Sequence, residues 1–186
     1  MGLFPSLPPW HGIHPLVVHF PIALLIVAPL FIMAGLLGRR MKTGLFLAAW
    51  LLMVLGTTTS FVAVESGEAA GELAERTPQI NALLERHQDL GETTRNMFTV
   101  LTILFGAILL LPKWIRPLAR PVAAMTTQVI FVLIYLGCTS LIANTGHLGG
   151  RLVHEQGVRA MIGTSSTDTP EPETADLKAP HRDDDD

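Results

Sequence analysis

The chain has 186 residues, 49% of them hydrophobic, with a mean hydropathy of +0.42 and a formal charge of −3. That apolar content excludes an ordinary soluble domain of this length. A single cysteine, Cys138, excludes an intrachain disulfide, and without a C-x-x-C-H sequence there is no covalent haem attachment.

Four stretches carry no Asp, Glu, Lys or Arg: 16–38, 43–64, 96–112 and 121–146. A hydrocarbon core of about 30 Å needs roughly 20 helical residues. The third stretch reaches that length once Arg95 and Lys113 snorkel at its ends. The pattern predicts an all-α integral membrane four-helix bundle, one domain over residues 10–160.

The first span reads HPLVVHFPIALLIVAPLF. Pro15 suits a first helical turn. Pro21 and Pro29 lie inside the span, where each removes a backbone hydrogen bond and kinks the helix. His14 and His19 open the run. An unpaired polar ring in hydrocarbon costs on the order of several kcal/mol, so His19 should face the bundle or a wet cavity. Its bland alternative is a packing histidine bonded to a carbonyl freed near Pro21. No Lys or Arg precedes Arg39 and the apolar core is full length, which is not the pattern of a cleaved signal peptide.

In the second span Gly56 and Ser60 would let helices approach closely. Glu65 ends it, as an interfacial acid, a histidine partner or a metal ligand. In the second loop Ile80, Leu83, Leu84, His87 and Leu90 recur at helical spacing, with Glu85, Arg86 and Asp89 on other faces. A short amphipathic extramembrane helix is predicted there, running on through Gly91 if unbroken, with His87 on its apolar stripe. The fourth span ends NTGHLGGRLVHEQG. His147 and His154 would share a face about 10.5 Å apart on a continuous helix, but Gly149 and Gly150 are expected to interrupt it or to admit a planar ligand. Arg151 would reach an anionic group beside His147 or snorkel at the interface. Residues 164–186 hold eight acids against Lys178 and Arg182, which reads as a disordered acidic tail.

Arg39, Arg40 and Lys42 fill the first loop, and Lys113, Arg116 and Arg120 the third, with no acid in either. The second loop, from Glu65 to Arg95, holds seven acids and three arginines. Excess Lys and Arg marks the cytoplasmic side. Both termini and the second loop are therefore expected outside, in the periplasm if the membrane is the inner membrane of a bacterium. Short basic turns of this kind are topology signals, so no nucleic-acid partner is expected. That orientation gathers His14, His19, His87, His147 and His154, with Glu65, at the outer face.

Three functions fit. Two of those histidines could hold a haem b as neutral axial ligands, with Arg95 and Arg151 toward its propionates, and pass electrons to a redox protein or quinone. Three of them with Glu65 could hold a transition metal such as Cu, Fe or Zn. Or the chain is a structural subunit of a larger membrane complex, without a cofactor. Serines without a G-x-S-x-G setting and the absence of a phosphate-binding loop leave no catalytic residue to assign.

The segments HPLVVHFPIALL and GHLGGRLVHEQGV resemble the end motifs of a bacterial membrane family, domain-of-unknown-function family 2231, over about residues 10–160. The resemblance implies a four-helix membrane protein and a respiratory-chain accessory, since similar domains are joined to Rieske-type or cytochrome modules. It implies that the motif histidines are His14 and His19, with His87, His147 and His154 as companions.

Overall fold

The structure is a computed structural model that describes residues 8–38, 40–111 and 121–158. The charges expected at Arg39, Lys113, Arg116 and Arg120 and the acidic tail over 164–186 lie outside the described residues. Among the described residues five helices follow one another: α1 (Trp10–Val17), α2 (His19–Leu37), α3 (Lys42–Glu72), α4 (Pro78–Leu110) and α5 (Pro121–His154). With α1 and α2 counted together, four segments are long and apolar enough to cross a membrane.

The first span breaks where proline chemistry demands it. Pro21 has no N–H for the carbonyl of Val17, four residues earlier, and its ring crowds that carbonyl. The helix stops at Val17, turns at Val18 and restarts at His19. Pro29, by contrast, stays within α2. It leaves the carbonyl of Leu25 without its helical donor, and the buried Tyr135 hydroxyl of α5 donates to that carbonyl at 2.8 Å. Hydrocarbon offers no water to do this, so a neighbouring helix must.

α2 packs on α3, α3 on α4, α4 on α5, and α5 returns to α2, leaving α2/α4 and α3/α5 as diagonals. α1 lies against α3 and touches α2, but among the described residues its backbone makes no close approach to that of α4 or α5. Gly35 makes room for Phe46, and Gly56 for Leu25, which brings α2 and α3 together. One half of the bundle is solid. Leu25, Ala28 and Ile32 meet Met53, Phe98, Phe105, Phe131 and Tyr135 there, with Phe105 and Phe131 stacked at 4.9 Å. The buried Thr57 and Thr102 hydroxyls pair at 2.8 Å across α3 and α4. The perimeter carries exposed Ile26, Leu30, Leu51, Leu55, Ile103 and Leu133, the outward apolar surface of a lipid-embedded bundle.

The amphipathic helix expected in the second loop is present and runs on unbroken into the third span. Thr77 caps it, accepting from the N–H of Ile80 at 3.2 Å with Pro78 at the first turn, and it continues through Gly91 as the start of α4. The Gly149–Gly150 pair does not interrupt α5, which is helical to His154. Gly149 instead gives close approach, because a Cβ there would lie 3.1 Å from Cε1 of His87.

Replacing Tyr135 by Phe should destabilise the bundle by about 0.6–1.7 kcal/mol, the range of hydrogen bonds measured within membrane proteins. In a Pro29→Ala background, where residue 29 regains its N–H, the same replacement should cost clearly less. A double-mutant cycle read by unfolding in mixed detergent checks this; equal losses in both backgrounds would show that the tyrosine does not serve the proline-freed carbonyl.

Candidate functional site

The other half of the bundle is open. A cavity of about 510 Å³ lies between the solid core and a small apolar cap made by Leu83, Leu84 and Leu152. Its size is within the roughly 300–1,000 Å³ usual for small-molecule sites. His14, His19, His87 and His154 line it, together with Glu68, Gln88, Thr94, Arg95 and Thr145.

Helix rise explains why two of the histidines meet. The Tyr135–Leu25 bond sets α2 and α5 level. From there, the eleven residues back to His14 and the ten forward to Thr145, at about 1.5 Å each, climb about 16 and 15 Å toward the same end. His87 of α4 reaches that level through its bond to the carbonyl of Thr145 at 3.1 Å. His14 bonds the carbonyl of Ala63 in α3 at 2.7 Å. Both bonds use Nδ1, and a carbonyl only accepts, so both Nδ1 atoms carry hydrogen. The neutral rings then present Nε2 as the lone-pair nitrogen. The ring centroids of His14 and His87 are 6.4 Å apart with planes at 87°.

Glycines back both rings. A Cβ at Gly67 would fall 2.8 Å from Nδ1 of His14, and the Cβ at Gly149 would press His87. Gly67 belongs to a stripe of small residues on α3, with Gly56, Ser60, Ala63 and Gly71, spaced three and four apart so that they share a face. Glu68, Gln88, Thr94, Thr145 and Gly67 went unassigned in the sequence reading. For Gly67 and Glu68 the continuation of the Gly56–Ser60 stripe along α3 is the signal that could have found them.

The remaining expected residues separate. His19 is exposed at the cavity rim and donates from Nδ1 to the carbonyl of Pro15 at 3.0 Å. His154 is exposed and lines the cavity. His147 is exposed and does not line the cavity. Its position on α5 is two residues, about 200°, beyond Thr145. Arg151 is held by Glu155 at 2.8 Å and also lies outside the lining. Arg95 lines the cavity, but its guanidinium sits 3.9 Å from the Glu65 carboxylate and 5.1 Å from the centre of the Phe61 ring. Glu65 is exposed on the flank of α3. Among the described residues no group of three or more His, Cys, Asp or Glu side chains is placed to hold a metal ion, so the expected set of three histidines with Glu65 does not assemble.

Fold and cavity define a multi-pass membrane protein, a four-span bundle packed solid at one end and hollow at the other. The chain belongs to the family described as predicted membrane protein, domain of unknown function 2231, which it matches over residues 10–161. The match runs from the first residue of α1 to beyond the end of α5. Comparison with curated proteins and with solved structures gives no match.

Two glycine substitutions should act in opposite directions. Gly67→Ala forces His14 off its carbonyl and should cost about 1–3 kcal/mol, as overpacking does. At Gly91 the Cβ would meet only Val64 Cγ2 at an ordinary 3.9 Å, so Gly91→Ala should stabilise by about 0.5–1 kcal/mol. Unfolding in mixed detergent compares them; a neutral Gly67→Ala would mean that His14 is not pinned.

Proposed function

We propose that the protein holds a b-type haem between His14 and His87 and serves as a one-electron carrier in a membrane redox chain. The observation that carries this reading is the pair of imidazoles from α1 and α4, each fixed through Nδ1 and facing one cavity. With Nδ1 committed to a carbonyl, each ring has Nε2 left to give a metal, and imidazole is a donor that haem iron takes. The ring centres lie 6.4 Å apart, close enough that both would hold one group in the cavity.

When bound, the haem supplies the reversible one-electron change of its iron. The chain's own residues do the rest. Ala63 and Thr145 hold the rings and, by accepting from Nδ1, raise the basicity of Nε2. Gly67 and Gly149 let the rings lie close to α3 and α5. Ile22, Leu25 and Ile142 close the inner end of the cavity against water, and Arg95 offers positive charge at its wall.

The detergent-purified protein should show a Soret band that shifts on reduction. His14→Ala and His87→Ala should each abolish it, and His147→Ala should leave it intact. A colourless protein that co-purifies with a complex would instead favour an accessory subunit, in which the same two hydrogen bonds tie α1 to α3 and α4 to α5. The charges of the loops support an inner-membrane location with the cavity on the periplasmic side. Single cysteines at Asp89 and Met41, introduced without Cys138, should then label from opposite faces, Asp89 from outside; labelling from one face would overturn the topology.

A further inference from the structure

The ring of helices has a gap. α2 packs on α5, but above the break at Val18 α1 leans onto α3, and among the described residues the backbones of α1 and α5 do not meet. On the α5 side of this gap Gly146 and Gly150 line the cavity, and a Cβ at either would have nothing within 4 Å. On the α1–α2 side stands the exposed His19, with the more than half-exposed Leu16 and Phe20 on the helix surface outside the cavity lining, and the exposed Val153 and His154 complete the α5 edge. The cavity thus opens sideways, through the bundle wall, onto the surface that faces lipid.

We infer that this opening is a binding site for the head group of a membrane quinone. The rim fixes the chemistry of its occupant. His19, Gly146, Gly150, Val153 and His154, the lining residues at this opening, carry no carboxylate, ammonium or guanidinium, so an anionic phospholipid head group finds no permanent counter-charge there. The exposed helix surface beside Gly146 and Gly150 offers a flat wall to a ring. His19 has Nδ1–H committed to the Pro15 carbonyl, which leaves Nε2 to accept from a ring hydroxyl, as in a quinol. The apolar edges suit an isoprenoid tail running out into the bilayer.

The site gains its biological sense from the haem reading, since it opens into the cavity that His14 and His87 share. Binding itself does not require haem, and the two are measured separately. Equilibrium dialysis of the full-length, detergent-purified protein against decylubiquinol, kept reduced, should show saturable binding of one molecule per chain. Gly146→Leu, which fills the opening without a clash, and His19→Phe should each weaken it by at least about tenfold, or 1.4 kcal/mol. Gly137→Leu on the same helix, also in open space, should bind as the unsubstituted chain does. Absence of saturable binding, or equal affinity in Gly146→Leu and the unsubstituted chain, overturns the inference. So does binding that appears only when residues 1–7 are removed, which would make the chain's own start the occupant. The Soret band of the same samples reports on the cofactor reading independently: saturable binding without a Soret band sinks haem and keeps the quinone site.

Discussion

A hydrogen bond from each imidazole Nδ1 to a backbone carbonyl is the interaction on which the site depends. His14 donates to Ala63 and His87 to Thr145. Neither carbonyl belongs to the histidine's own helix, so each bond fixes a tautomer, orients a ring and ties two helices at once. Both carbonyls lie within helices, and a carbonyl has a second lone pair for an outside donor. What limits such a bond is approach, and the small stripe of α3 and Gly149 of α5 supply it. In a bilayer the alternative is an unpaired N–H.

Prolines and glycines divide the labour along the bundle. Pro29 frees a carbonyl that Tyr135 takes up, and that bond sets the level of α2 against α5. Pro21 ends α1 at Val17 and lets it lean on α3. The first effect makes the solid half rigid, with Phe98, Phe105 and Phe131 packed around Tyr135. The second leaves the other half hollow and open on one side. The same first span therefore builds the floor of the cavity and its gap.

Much of this was legible in the residues, and the remainder was not for definite reasons. Three of the four spans follow from uncharged length alone and the other from snorkelling charges at its ends, and His87 falls on the apolar stripe of α4 because Ile80, Leu83 and Leu84 set its period. The pairing of His14 with His87 was hidden. His14 and His19 are five residues apart, about 140° on a helix, so one of them faces inward, and only the lean of α1 decides which. His147 and His154 lie near the edge of the cavity-facing arc of α5, one outside it and one within. Arg151 found a partner in Glu155, one turn along its own helix, rather than a ligand across the bundle. Gly149 and Gly150 were expected either to interrupt the helix or to admit a planar ligand, because an isolated sequence offers no sign of the His87 ring that packs on one of them.

The central proposal is that His14 and His87, whose ring planes cross at 87°, would together hold one haem. Low-temperature electron paramagnetic resonance of the oxidised, detergent-purified protein reads this most directly, because the anisotropy of low-spin ferric haem depends on the angle between its two imidazole planes. The account predicts a low-spin signal of large anisotropy, as crossed rings produce. A high-spin signal, the less anisotropic signal of parallel rings, or no haem signal at all would contradict it.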